Sequence, residues 1–468
     1  MKKVLATVLA LVMALALCSV SWATEPASVN SAETLKTAIN AATADNNTIT
    51  LTGDVALSES VIINKSGVDL VIDLGGKTIS GSSQLFDIYS PVTFKNGTIN
   101  VTYNGSESIC VMWLNGGAKL VLENDVTVNA AKSAGATGSV FAVGFWNDCN
   151  GAELTINGKI TGDNGATING NITTNTNKVA VNGTIEVTGH ALYLAGNGIT
   201  DINNGACVKG DAGIEIRAGV LNINGGTVES TGTYSAPIAN GNGTTASGAA
   251  LIVAEHTTNQ GITVNVNSGN IKAASAGKAI AVSDPQSTGG NDVKLNVAGG
   301  NVVGGIQVEE SIETAKPVAV TGGTFSSRDV SDYTADNTPF AFTFNENEGE
   351  YYVGEETIQN AAKNLSAGQQ LVISKGNVTL RDVPAGVTVI PSAGTVVVNG
   401  KDISGNQYRD GYTVPQSSGY YYYQPTTDTK ADDTKGSPKT FDAGVGIYAV
   451  TAVLSVTGMA WTAKKRGN

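Results

Sequence analysis

The sequence predicts an all-β fold, a parallel β-helix in which successive coils of the chain stack into a rod. Three observations predict it: short segments alternate apolar with polar residues, each contains a turn rich in asparagine and glycine, and the segments return at a roughly regular interval. Alternation is typical of strands that bury one face, and such recurrence is typical of solenoids. We also expect a short capping helix before the rod and a transmembrane helix after it.

Six segments repeat the pattern of strand, turn and strand. They begin at Leu154, Val179, Leu221, Val264, Leu295 and Val318. Their starts are separated by 25, 42, 43, 31 and 23 residues, and because 42 and 43 are close to twice 21, we expect a coil of about 21 to 25 residues with a few insertions. About 13 to 15 such coils, spaced about 4.8 Å apart, would form a rod roughly 60–70 Å long. Asparagine suits the corners because it accepts a left-handed backbone, and stacked asparagine side chains can bond to one another along the rod.

Two other all-β folds fit these repeats less well. A β-sandwich would not recur on a fixed period, and a β-propeller needs a period near forty with an aromatic signature that this chain lacks. Between about Ile49 and Phe325 the repeats resemble the right-handed parallel β-helices of the pectin-lyase-like superfamily. The resemblance implies a right-handed coil, but no catalytic signature of that superfamily is complete in this sequence.

Segments on either side of the rod are expected to cover its open edges. Within residues 24–47, Ser31 is placed to cap a helix whose Leu35 and Ile39 belong to an apolar stripe. The solenoid is expected over residues 48–335.

A second helix-plus-coil unit is expected over residues 336–408. The pattern around Leu35 returns around Ile358 at an offset of 323 residues. This unit would either cap the rod or form a small separate module. Residues 409–436 are polar and predict a spacer.

The N-terminus has the pattern of a secretory signal peptide. Lys2 and Lys3 precede an apolar run over residues 4–17, and small residues follow it, so we expect residues 1–23 to be removed. The alternative is a lipoprotein signal at Cys18, although a leucine precedes that cysteine where a small residue is usual.

The last 32 residues, 437–468, have the pattern of a C-terminal anchor. Residues 443–463 are uncharged and would form a helix roughly 30 Å long, which matches the hydrocarbon thickness of a bilayer. Three basic residues follow and would stay on the cytoplasmic side. A short motif precedes the span and consists of Ser437, Pro438, Lys439 and Thr440.

Motif, apolar span and basic tail together resemble the cell-wall sorting signal of Gram-positive surface proteins, the substrates of sortases. The resemblance implies that sortase cleaves after Thr440 and joins it to peptidoglycan. Phe441 stands where that family has glycine. An uncut segment would hold the chain in the membrane, so both cases imply display on the outer face of a Gram-positive cell.

Composition narrows the range of partners. The formal net charge is −12, and a nucleic-acid partner is disfavoured because it would need basic patches. After removal of the signal peptide, Cys110, Cys149 and Cys207 remain, an odd number at wide spacing that is not typical of a disulfide framework.

Few side chains are candidates for chemistry. Alternation places Glu215 and Arg217 on the same outer strand face, near Asp211, and these are the catalytic candidates; the alternative is a solvated surface ion pair. Neither His190 nor His256 lies in a complete motif. A calcium site is a further hypothesis, and its candidate ligands are Glu309, Glu310 and Glu313.

Four aromatic residues have two open interpretations, stacking on sugar rings or packing in the core. They are Trp113, Phe141, Phe145 and Trp146. The resulting functional hypothesis is a non-catalytic, adhesin-like surface protein that contacts extracellular glycans or a host surface. The alternative is an anchored polysaccharide lyase or glycoside hydrolase on the same fold.

Overall fold

The structure is a computed structural model that describes residues 28–240, 243–274, 277–287, 292–344, 349–409 and 412–415. The predicted signal peptide, most of the spacer, the sorting motif and the predicted membrane span lie outside the described residues. Among the described residues, no helix has both the length and the apolar character needed to cross a membrane.

The body is a stack of coils, each with up to three strands, numbered here in chain order. The first strands of the coils are β1 (Thr48–Thr50), β4 (Leu70–Asp73), β7 (Val92–Lys95), β10 (Lys119–Leu122), β13 (Glu153–Ile156), β16 (Lys178–Val181), β19 (Ile199–Ile202), the first part of β22 (Gly219–Ser230), the first part of β26 (Ile262–Lys272), β28 (Val293–Val297) and β31 (Val318–Val320). The second strands are β2 (Val55–Leu57), β5 (Thr78–Gly81), β8 (Gly97–Tyr103), β11 (Val126–Lys132), β14 (Lys159–Gly162), β17 (Thr184–Val187), β20 (Cys207–Gly210), the later parts of β22 and β26, β29 (Asn301–Val303) and β32 (Gly323–Phe325). First and second strands belong to one long sheet of 26 strands.

The third strands of the coils form a separate sheet, called the ten-stranded sheet below. Its members, each parallel to the next, are β3 (Val61–Ile63), β6 (Phe86–Ile88), β9 (Ile109–Leu114), β12 (Val140–Phe145), β15 (Asn164–Ile168), β18 (His190–Leu194), β21 (Ala212–Ile216), β25 (Leu251–Ala254), β27 (Lys278–Ser283) and β30 (Gly305–Val308). The predicted all-β fold with stacked parallel strands is therefore confirmed.

The coils are fewer and longer than the sequence predicts. The 43-residue interval is a single coil, because Leu221 pairs directly with Val264. The 42-residue interval is two coils, as predicted, since Val179 pairs with Thr200 and Thr200 with Leu221. At about 4.8 Å per strand, the ten-stranded sheet is roughly 43 Å across, so the expected 60–70 Å rod was too long.

The additional residues of the 43-residue coil form an antiparallel hairpin. Its strands are β23 (Ser235–Asn240) and β24 (Gly243–Ser247). A hairpin of this kind lets a coil lengthen without interrupting the stack, because the strands on either side of it keep their register. It is also the element that most affects the candidate site.

Alternating apolar residues build one continuous core inside the coils. In β2, for example, Val55 and Leu57 are buried while Ala56 is exposed. Phe86 and Phe94 face each other across the interior with ring centroids 5.2 Å apart. Burial of apolar surface from two sheets is the main stabilising contribution here.

Asparagine side chains bond from coil to coil, as predicted. The amide of Asn182 donates to Asn157 at 2.8 Å, and that of Asn203 donates to Asn182 at 2.8 Å. A second ladder, at 2.9 to 3.0 Å, joins Asn222, Asn265 and Asn296. Each ladder satisfies polar groups that the turn would otherwise leave unpaired, and so favours one register.

Both ends of the rod are covered. Helix α1 (Ala32–Ala41) begins after Ser31, which caps it as predicted through a reciprocal pair of hydrogen bonds with Thr34. Leu35 and Ile39 are buried in the core of the first coils.

The second unit has a core of its own and also covers the last coil. Its helix is α2 (Glu355–Asn364), and its strands are β33 (Phe340–Phe344), β34 (Tyr351–Val353), β35 (Gln370–Lys375), β36 (Val378–Leu380), β37 (Thr388–Pro391), β38 (Val396–Val398), β39 (Lys401–Asp402), β40 (Asn406–Arg409) and β41 (Tyr412–Pro415). Strand β34 pairs antiparallel with β32, the last second-strand of the rod. Such pairing removes an open edge on which another chain could add.

Candidate functional site on the ten-stranded sheet

Glu215 and Arg217 lie on the outer face of the ten-stranded sheet, but neither is solvated. Their neighbours Ile214 and Ile216 point into the core, as alternation requires, yet both charged side chains are 0% exposed. The expectation of a solvated surface ion pair was wrong. The physical reason is the hairpin of the 43-residue coil: β24 contacts β21, and Tyr234, just before β23, packs on a small apolar cluster outside the sheet.

The buried pair is held by polar neighbours from the coils on either side of it. Glu215 Oε2 accepts a hydrogen bond from His190 Nε2 at 2.8 Å. The other carboxylate oxygen, Oε1, lies 3.7 Å from Nε of Arg217. Arg217 donates from Nη1 to the hydroxyl of Tyr193 at 3.0 Å and from Nη2 to the carbonyl of Glu255 at 2.8 Å. Hydrogen bonds that replace the lost water stabilise a buried charge pair, and these contacts do so at Oε2, Nη1 and Nη2, whereas Glu215 Oε1 and Arg217 Nε form no hydrogen bond with the described residues.

Two members of this network, His190 and Tyr193, are partly exposed. The side chain of His190 is 22% exposed, and its ring lies edge-on to Tyr193 with centroids 5.6 Å apart. Burial, with a further contribution from Glu215, raises the pKa of the Tyr193 phenol, so this group stays protonated at neutral pH. Glu215 itself can orient His190 but cannot touch a polysaccharide. The arrangement orients the His190 ring from behind and leaves the Glu215 carboxylate itself out of reach.

Sequence reasoning did not connect His190 with Glu215. The residues are 25 positions apart, about one coil, and Tyr193 is the register partner of Glu215. Once a coil length is known, such neighbours can be found by adding it to the residue number. His256 is packed instead: it is 8% exposed, lies against Gly170, and bonds to Thr258.

The remaining charged candidates lie apart from the pair or face water. Asp211 is half-buried against Gly232. Glu309 accepts hydrogen bonds from the backbone of Asp284 at 2.9 Å and from the hydroxyl of Ser311 at 2.8 Å.

Glu310 and Glu313 are exposed on a short 3-10 helix that follows Glu309. Within the part of the chain that the structure describes, no three His, Cys, Asp or Glu side chains come close enough together to hold a metal ion. Glu309, Glu310 and Glu313 therefore do not form such a group by themselves, and the calcium site stays a hypothesis.

The aromatic candidates divide between core and surface. Phe145 is in the core. Trp113, Phe141 and Trp146 lie on the outer face of the ten-stranded sheet, where Trp146 is 44% exposed and meets Trp113 edge-on with centroids 4.9 Å apart. A side chain at Gly144, the register partner of Trp113, would collide with the Trp113 indole. Glycine at this position therefore leaves the space that the indole occupies.

Sequence reasoning missed two further members of this surface. Tyr89, directly after β6, is 44% exposed, and the ring of Tyr193 lies 6.5 Å from that of Phe141, centroid to centroid. The name aromatic row is used below for five residues in, or directly after, strands of the ten-stranded sheet: Tyr89, Trp113, Phe141, Trp146 and Tyr193. Three large apolar side chains are prominently exposed in the described ranges: Ile62 in β3, Tyr89 directly after β6 and Trp146 directly after β12.

Comparison of the chain with protein-family models, with curated proteins and with solved structures finds no match.

Proposed function

We propose that the chain is a non-catalytic, adhesin-like protein displayed on the outer face of a Gram-positive cell, where it contacts extracellular glycans. The export and anchoring patterns of the sequence support the location, with sortase and peptidoglycan, or the membrane, as partners. The proposal that it is not an enzyme rests on one observation. Its best catalytic candidates, Glu215 and Arg217, are fully buried. Glu215 is hydrogen-bonded to His190, and Arg217 is hydrogen-bonded to Tyr193.

A polysaccharide-cleaving enzyme needs its carboxylates within reach of the sugar. Glycoside hydrolysis uses two carboxyl groups about 5–10 Å apart on either side of the scissile bond. Glu215 is covered, and the other carboxylate considered, Asp211, does not share its contacts. A rod with a broad exposed face supports binding along its length instead.

One observation favours the alternative, an anchored polysaccharide lyase or glycoside hydrolase. His190 is partly exposed and is backed by the buried carboxylate of Glu215, an arrangement that suits a general base. His190 also lies beside Tyr193, a member of the aromatic row.

A single screen separates the two functions. The full-length chain on cells or in detergent is presented with a glycan array, and in parallel with soluble polysaccharides whose reducing ends and unsaturated products are assayed. We expect binding to some glycans and no product. Product release that is lost in the His190→Ala variant would establish the enzyme and overturn the proposed function.

A further inference from the structure

We propose that the aromatic row is the glycan-binding site and that it takes an uncharged, linear polysaccharide lying along the rod. This inference rests on the proposed function and specifies where, and for which class of ligand, it operates. Register aligns part of the row, because residues that face outward from successive third strands lie above one another, while Tyr89 and Trp146 directly follow two of those strands.

The geometry gives the row a direction. Asp87, Trp113 and Gly144 are consecutive register partners in β6, β9 and β12, and Tyr193 lies two strands further, after Thr167. Neighbouring strands are about 4.8 Å apart, so the row runs parallel to the rod axis over several coils. Such a line suits a chain-like ligand that crosses one coil after another.

The exposed rings match the chemistry of a sugar. One face of many pyranose rings presents C–H groups, which pack favourably on the electron-rich face of an aromatic ring. The rings of Trp113 and Trp146 are at 90° to each other, so a sugar bound between them can contact the face of one ring and the edge of the other. The exposed Tyr89 adds a hydroxyl group that can bond to sugar hydroxyls.

A carboxylate beside the row disfavours an anionic ligand and so favours an uncharged one. Asp87, the register partner of Trp113, accepts hydrogen bonds from the neutral side chains of Gln84 at 2.6 Å and Ser60 at 3.1 Å. At the corner between second and third strands, Lys132 already pairs with Asp163 at 2.9 Å. The net charge of −12 further disfavours a polyuronate, because a like-charged chain would be repelled.

The size of the row favours a glycan over a second protein. A fully exposed aromatic side chain offers about 150–250 Å², and these rings are at least half covered, so the row presents roughly a few hundred Å². A stable protein interface buries roughly 800 Å² on each partner. A polysaccharide needs only a narrow strip.

The test compares the full-length wild type with Tyr89→Ala, Trp146→Ala and the double variant. Affinities are measured for xylan, galactomannan and mixed-linkage β-glucan as uncharged probes and for polygalacturonate and alginate as anionic probes. We expect the wild type to prefer an uncharged probe, each single variant to weaken its binding several-fold, and the double variant to weaken it by a factor of ten or more. Lys178→Ala, a change on the outer face of the long sheet, should bind like the wild type.

Each outcome has one meaning. Wild type that binds no glycan overturns the proposed function, and this inference with it. Wild type that binds, with a folded double variant that binds equally well, leaves the proposed function standing and overturns the site. Preference for the anionic probes overturns the ligand class. Self-association that disappears in the double variant would assign the row to a second copy of the chain, which also overturns the inference. Circular dichroism checks folding, and Tyr89→Ala alone suffices if Trp146→Ala is unstable.

Discussion

Replacing Arg217 with alanine is expected to lower the free energy of unfolding by about 3–5 kcal/mol, the usual cost of leaving a buried charge without its partner. The Glu215 carboxylate would remain at 0% exposure with His190 as its main polar neighbour. The variant also loses the hydrogen bonds to Tyr193 and to the Glu255 carbonyl. Urea unfolding followed by far-ultraviolet circular dichroism measures the change.

Two further variants identify the cause of this loss. Lys178→Ala removes a cation whose side chain is 60% exposed and pairs with Glu153 at 3.7 Å, so it should cost about 0–1 kcal/mol. The double variant Glu215→Gln, Arg217→Met removes both buried charges and should recover much of the stability lost by Arg217→Ala. An Arg217→Ala loss no larger than that of Lys178→Ala would mean that water reaches the pair, and the site would again be open to catalysis.

Deleting residues 70–91 is expected to leave a folded, shorter rod, whereas deleting residues 70–80 is expected to abolish cooperative unfolding. Leu70 is the register partner of Val92, so the longer deletion removes one complete coil. Afterwards β7 takes the place of β4 beside β1, and the apolar faces still stack.

The shorter deletion removes β4 and β5 but keeps β6. The stacks of first strands and of second strands would then each lack one strand, while the stack of third strands stays complete. The strands on either side of each missing strand would be roughly 10 Å apart, which is too far for hydrogen bonds between strands. Far-ultraviolet circular dichroism and thermal unfolding compare the two proteins. Equal loss of structure in both would contradict stacking by interchangeable coils.

The sequence predicts local features well because each depends on neighbouring residues. Alternation identifies which side of a strand faces inward, as for Val55 and Leu57, and a serine before an apolar stripe identifies the start of α1. The ladder of Asn157, Asn182 and Asn203 follows from the repeat itself.

Long-range features were harder to predict, for a physical reason. Alternation places Glu215 and Arg217 on the outer face but contains no information about what lies over that face. The cover comes from an insertion in the next coil, whose length of 43 residues happens to equal two short coils. The aromatic row has the same origin: its two ring contacts, Trp113 with Trp146 and Phe141 with Tyr193, join residues 33 and 52 positions apart, and only the stacking of coils brings them together.

The central claim is that the repeat stacks coil on coil, with even the 43-residue interval forming a single coil, and that this stacking leaves the outer face of the ten-stranded sheet for recognition. It is tested most directly by disulfide formation between cysteines placed at Asn222 and Asn265, which are register partners 43 residues apart. Neighbouring strands are about 4.8 Å apart, within the range of a disulfide, whereas Asn222 and Asn296 are two strands apart and out of range. Peptide mapping after mild oxidation should find the Asn222→Cys, Asn265→Cys cross-link and none in the Asn222→Cys, Asn296→Cys protein. No cross-link in the first protein, or equal cross-linking in both, would contradict the stacking of coils. Both the buried pair of Glu215 and Arg217 and the aromatic row depend on that stacking.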